Sequence, residues 1–208
     1  MRSRLQRNWP RLLVGGLCLV LAVVVVAGVV RATTGNSAPL TGTDLGRERA
    51  PDFRLRDSSG QAYSLSQFRG KVVVLAFLYT QCPDACPLTA ELLRHADAAA
   101  GHPADVEYVA VSVDPVRDTP ETIAAFAREH HLEELGNRFH YLIGALPELS
   151  SVWQRYYIRD VEVPTPGETV DHVSSLYFID KHGMRRLLTH IDVPVEAIVR
   201  NLRTFEQQ

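Results

Sequence analysis

Val72-Val73-Val74-Leu75-Ala76-Phe77-Leu78-Tyr79 runs into Thr80-Gln81-Cys82-Pro83-Asp84-Ala85-Cys86-Pro87, and the junction of these two stretches decides the fold. An apolar run of this length, bounded by Gly70 and by a Pro-containing turn, reads as a buried strand of a covered sheet. The cysteines then open a helix that continues through Glu91, Leu92, Leu93 and the Ala-rich stretch to Ala100, until Gly101 and Pro103 stop it. Two thiols therefore stand at a strand-to-helix turn. On a helical turn a four-residue spacing puts their Cβ atoms about 5–6 Å apart on one face, close enough to share one ligand or one disulfide. The free N–H groups and dipole of a helix start favour the thiolate, the form that binds metal and attacks disulfides. The plainer alternative is a stabilising disulfide in an exported domain. It is disfavoured because so short a loop constrains the unfolded chain little, and because α/β proteins place their sites at strand ends.

Upstream of the strand, Phe68-Arg69-Gly70 is preceded by Pro51 to Leu55, a Ser58-Ser59-Gly60 turn, and Tyr63 to Leu65, which together read as a β-hairpin. Residues 32–50 are rich in Thr, Gly and Ser and lack apolar periodicity, so they are expected to be a flexible linker. Leu12 to Val30 is an uncharged apolar run of 19 residues, about 28 Å as a helix and close to the hydrocarbon thickness of a bilayer. It is expected to be a single transmembrane helix within an anchor segment 1–31. Arg2, Arg4, Arg7 and Arg11 precede it and only Arg31 follows closely, which keeps the N-terminus cytoplasmic and exports the rest. Val30-Arg31-Ala32 is a poor signal-peptidase site. Cys18 follows Leu17, not the small residue a lipid-attachment site would want, and reads as a membrane-buried apolar residue. Eleven residues before the span leave little room for a mitochondrial presequence, so a bacterial cytoplasmic membrane with the C-terminal domain on the periplasmic side is expected.

Downstream, Val106 to Val113 alternates as a second buried strand, and Thr119 caps a helix whose first residue is Pro120. Phe139 to Ile143 is a short strand, Pro147 to Tyr156 a helix, and residues 163–167 an irregular loop. Val173 to Ile179, the Lys181-His182-Gly183 turn and Arg185 to Leu188 form a hairpin, and a last helix runs from Pro194 toward Phe205. The order is β-hairpin, βαβα, β-hairpin and a final α, in one domain over residues 51–208. The fold class is α/β, and the arrangement is thioredoxin-like with an N-terminal β-hairpin. In that fold the loop ahead of the late hairpin faces the cysteine turn, and here it ends at Asp171-His172, which supplies a third ligand candidate. The formal net charge of −2 points to no nucleic-acid partner.

The chain resembles the Sco/SenC family, proteins that help assemble the copper centre of cytochrome c oxidase. The resemblance rests on Phe68-Arg69-Gly70-Lys71, on Tyr79 to Pro87 with its two cysteines, on Asp114-Pro115-Val116-Arg117-Asp118-Thr119-Pro120, and on Asp171-His172 leading into Tyr177-Phe178-Ile179-Asp180. It implies copper ligation by two thiolates and one imidazole, carried over to Cys82, Cys86 and His172. It also implies delivery of copper to the oxidase copper-site subunit, with an upstream copper chaperone or a thiol reductant as further partners. Gln81 stands where relatives often carry His, and Val173 where they often carry a hydroxyl residue.

Two thiolates and one imidazole form a soft set that suits Cu(I), and holds Cu(II) with an added weak ligand or water. A structural zinc site would want four protein ligands, and no second cysteine pair supplies the fourth. Asp171 is a candidate to orient the imidazole or simply a cap. His130-His131 end a helix and, as neighbours on it, do not face each other. Asp114 and Asp118 are most simply read as turn and capping residues before Pro120. The leading expectation is a copper metallochaperone and not a classical enzyme. The alternative is a membrane-anchored thiol-disulfide oxidoreductase that reduces the oxidase copper-site cysteines, with Cys82 attacking and Cys86 resolving. A peroxiredoxin-like peroxidase is set aside, because Leu75 and Thr80 do not match the Pro-x-x-x-Thr-x-x-Cys spacing.

Overall fold

The computed structural model describes residues 39–158 and 174–208, together with Val23, which is helical and exposed. The expected membrane span therefore lies outside the described residues except at Val23, and among the described residues no helix is long and apolar enough to cross a membrane.

From Pro39 onward, the chain builds one eight-stranded sheet in the order β1-β8-β7-β4-β5-β6-β2-β3. The strands are β1 (Thr43–Arg49), β2 (Arg54–Asp57), β3 (Ala62–Ser64), β4 (Val72–Leu78), β5 (Val106–Ser112), β6 (Phe139–Ile143), β7 (Ser175–Ile179) and β8 (Met184–His190). The helices are α1 (Ala85–Ala100), α2 (Pro120–Glu129), α3 (Leu146–Arg155) and α4 (Val195–Glu206), with short 3-10 segments at Leu65–Phe68 and Leu132–Arg138.

β4 and β5 pair in parallel, as do β5 and β6, and both β4 and β5 are buried along their whole length. This burial requires cover on both faces. It comes from opposite sides: α3 extends to Tyr156, whose ring packs on Tyr177, while Phe205 of α4 packs on Phe178. Successive residues of β7 point to opposite faces, so α3 and α4 lie on opposite sides of the sheet, and α1 packs beside α4. The result is the α/β sandwich expected of a thioredoxin-like fold.

Helix limits follow the local chemistry. Thr119 caps α2, its hydroxyl accepting from the Thr122 N–H while the Thr122 hydroxyl accepts from the Thr119 N–H at 2.9 Å. Gly101 closes α1 at φ +90°, in the left-handed region where a glycine costs least.

Two expectations change. The segment expected to be linker up to Ala50 contains β1, which pairs antiparallel with β8 from Thr43. Six of its seven residues are exposed and only Leu45 is half-buried, so this edge strand is held by backbone pairing and carries no apolar period for a sequence reader to find. The first cysteine also lies outside the helix: α1 starts at Ala85, and Cys82 belongs to the turn ahead of it.

Candidate metal centre

The parallel register brings the C-terminal ends of β4 and β5 to one rim of the sheet, where the chain leaves β4 into the cysteine turn and leaves β5 into Asp114 to Asp118. Cys82 is 8% exposed and Cys86 fully buried, and both are free thiols. The turn is tied by the Cys82 N–H donating to the Tyr79 carbonyl at 3.3 Å, and the Cys86 N–H in the first turn of α1 donates to the Cys82 sulfur at 3.3 Å. The pair is thus closed onto itself without a covalent bond.

The electrostatics split the two thiols. The Cys86 thiol donates to Cys82, and with the Asp84 and Cys86 N–H groups and the Tyr79 hydroxyl it outweighs burial and draws Cys82 down to about 5. That same donation, reinforced by burial, pushes Cys86 well above the usual thiol range. The Asp84 carboxylate lies 3.8 Å from the Cys82 sulfur, and its Oδ1 accepts from the Ala85 N–H at 2.5 Å as the helix cap. Near neutral pH the site therefore holds one thiolate and one proton, a poised nucleophile and a soft metal ligand in one.

A residue read from sequence as a turn former holds the turn in place. Asp118 is buried, and its Oδ1 accepts from both the Thr80 N–H and the Thr80 hydroxyl at 2.8 Å. Its Oδ2 accepts from the Ser112 hydroxyl at 2.6 Å and the Tyr141 hydroxyl at 2.9 Å. Burial raises its pKa against these donors. Asp114 does form the expected turn, its carboxylate taking the Arg117 N–H at 3.2 Å and its guanidinium, while Arg117 lies 5.6 Å over the Tyr79 ring. Ser112 and Tyr141 carry no sequence signal of their own, because each is one more residue of an apolar strand. Only the Asp-Thr-Pro following β5 and the Thr two residues before Cys82 hint at the link.

His130 packs its ring 4.5 Å from Phe126, and His131 sits 3.6 Å from Glu133; they are helix-end residues, as expected. Asp171 and His172 fall outside the described residues. Ser175 opens β7, and the antiparallel pairing of Leu75 with Tyr177 sets that start alongside the end of β4, the rim that carries the thiols. Among the described residues no third His, Cys, Asp or Glu joins the pair in a group able to hold a metal.

A SCO1/SenC family model matches residues 42–206. The chain belongs to the SCO1/SenC family. Among curated relatives, the mitochondrial SCO2 homolog of Homo sapiens is 31% identical over 140 residues, covering 64% of this chain and 50% of that protein. Bradyrhizobium japonicum ScoI, solved with copper bound, matches at 28% identity and a TM-score of 0.65 over 76% of this chain and 99% of that one. The apo Sco1 protein of Thermus thermophilus matches at 30% identity and a TM-score of 0.67, over 82% and 99% respectively. The family match begins at Gly42, next to the first residue of β1, so the family domain takes in the edge strand that the sequence pattern assigned to the linker.

Proposed function

We propose that this SCO1/SenC protein is a copper metallochaperone that holds the ion on Cys82, Cys86 and His172 and passes it by ligand exchange to the copper centre of cytochrome c oxidase. The observation that carries this reading is the thiol pair at the end of β4, one member held as a thiolate near neutral pH. Copper in the ScoI relative supports it. His172 stands three residues ahead of Ser175, a stretch of at most about 10–11 Å, and this short separation from β7 supports reading it as the third ligand. Two soft sulfurs and one imidazole bind Cu(I) without needing a fourth ligand, and an incomplete set leaves room for a receiving ligand to attack. Residues 1–31 anchor the chain in a bacterial cytoplasmic membrane through Leu12 to Val30, with the folded domain on the periplasmic side. The partners are the oxidase copper-site subunit and an upstream copper donor or thiol reductant.

The low thiolate of Cys82 also favours a second reading, reduction of the oxidase copper-site cysteines. The Cys82 thiolate attacks a partner disulfide, releasing one partner thiolate and forming a mixed disulfide. Cys86 then loses its proton and displaces the second partner sulfur. Two electrons pass to the partner, its thiols take up the protons, and a Cys82–Cys86 disulfide is left.

The two readings separate in cells that depend on this chain for oxidase assembly. For the chaperone, His172→Ala abolishes copper in the purified oxidase and added copper salt restores it. If His172→Ala leaves the oxidase fully metallated while Cys82→Ser does not, and an added thiol reductant rescues the latter, reduction is the function.

A further inference from the structure

We propose that Tyr141 is a positioning residue for the Cys82–Cys86 pair, acting through Asp118 and Thr80 from a strand that carries no part of the thiol turn. The inference rests on the reading of the two cysteines as the working pair.

Asp118 is a bridge with two distinct sides. Among the described residues, one carboxylate oxygen accepts from Thr80, two residues before Cys82, and the other from the floor of the sheet, Ser112 at the end of β5 and Tyr141 in the middle of β6. The Thr80 side alone leaves the carboxylate free to pivot about its two 2.8 Å contacts. The floor side fixes the plane in which it presents Oδ1. Tyr141 is only 4% exposed, and its ring is held edge-on by Phe126 of α2 at 6.4 Å, so its hydroxyl is a rigid donor. The chain of contacts runs from β6 through Asp118 to the backbone N–H of Thr80, whose neighbour Tyr79 accepts the Cys82 N–H. Closing the disulfide brings two non-bonded sulfurs to about 2.05 Å, and hydrogen bonds that hold the turn as it stands with free thiols resist that approach and so favour the dithiol.

The fold supplies its own control. Tyr108, on β5, is equally buried and donates its hydroxyl at 3.0 Å to another buried carboxylate, Asp97 near the end of α1, toward the other rim of the sheet. Tyr108→Phe and Tyr141→Phe delete the same atom from the same kind of bond, and only one of those bonds leads to the thiols.

The test is redox equilibration of the full chain in mild detergent with mixtures of reduced and oxidised dithiothreitol, read by alkylation and mass spectrometry. Two electrons pass from the protein dithiol to the oxidised reagent, and no copper is needed, so this readout stands whether or not the chain carries copper. Tyr141→Phe is expected to shift the equilibrium toward the disulfide by about threefold or more, about 14 mV at about 30 mV per tenfold change, while Tyr108→Phe shifts it less than about 1.5-fold. Thermal unfolding is expected to fall alike for both. If the two variants move the equilibrium equally, or Tyr141→Phe lowers only the melting temperature, Tyr141 is a packing residue and the proposal fails. Ser112→Ala, which removes the other floor-side donor, is expected to reproduce the Tyr141→Phe shift, and an unshifted equilibrium there also counts against it.

Discussion

Removing the Cys86 sulfur should move the ionisation of Cys82 by an amount that the geometry sets. In the wild-type dithiol Cys82 titrates at about 5, so at pH 7 its thiolate outnumbers its thiol by about 100 to 1, whereas an ordinary cysteine near 8.5 is about 3% thiolate. The largest cause is donation from the Cys86 thiol. A hydrogen bond to a charged acceptor contributes roughly 1.5–3 kcal/mol, and one pKa unit is about 1.4 kcal/mol, so Cys86→Ala is expected to raise Cys82 by about one to two units. The assay is the rate of iodoacetamide alkylation of the reduced chain from pH 4 to 10, with the modified cysteine located by mass spectrometry. Wild-type Cys82 should react at an almost constant rate from pH 7 to 9, where an ordinary thiol gains about 25-fold, and its rate should fall only near pH 5. The variant midpoint should lie at about 6–7. A wild-type midpoint near 8.5, an unmoved variant, or faster modification of Cys86 than of Cys82 would refute the reasoning. The sign for stability follows: a depressed thiol binds fewer protons folded than unfolded, so the reduced domain gains stability as pH rises from about 5 to the ordinary thiol range, and loses it as pH falls through about 5. The raised Cys86 reverses the slope only above that range.

Because Cys82 is already ionised and Cys86 is not, loading Cu(I) onto both sulfurs at pH 7 is expected to release about one proton per ion in a weakly buffered indicator assay, where an ordinary pair would release about two. Arg138 donates through both terminal nitrogens to buried Asp97, which also takes the Tyr108 hydroxyl and the His102 ring. Arg138→Met leaves that carboxylate short of its charge partner and is expected to cost about 3 kcal/mol in urea unfolding. Burial alone would raise Asp97, but its partners hold it below the usual carboxylate range, so the gap between wild type and variant should be full at neutral pH and shrink as pH falls below about 4. Leu75 is fully buried in the centre of β4, and Leu75→Ala is expected to lower stability by about 2–5 kcal/mol with little change in the slope against urea.

What the sequence made legible was what depends on local chemistry. The unbroken apolar run of β4, the Thr119-Pro120 helix start, and the hairpin turn at Lys181 to Gly183 all appear where pattern and turn residues put them. The β1 edge strand did not, since its side chains face solvent and its hold on β8 is made by backbone. Of the two cysteines expected to open the helix only Cys86 lies in it, because Asp84 is the cap and Cys82 belongs to the turn ahead of it. Asp118 was read as serving its own neighbours, and it does give its N–H to the Asp114 carbonyl. Its carboxylate reaches 38 positions back to Thr80, a partnership set by the parallel pairing of β4 with β5 that no local pattern encodes.

The most direct measurement is the copper content of the full chain in mild detergent, reduced and loaded anaerobically with Cu(I), beside Cys82→Ser, Cys86→Ser and His172→Ala. The account expects about one tightly held ion per chain, lost with either cysteine and held much more weakly without His172. A wild-type chain that retains no copper, or a His172→Ala chain that binds it as tightly as wild type, would contradict the three-ligand copper site.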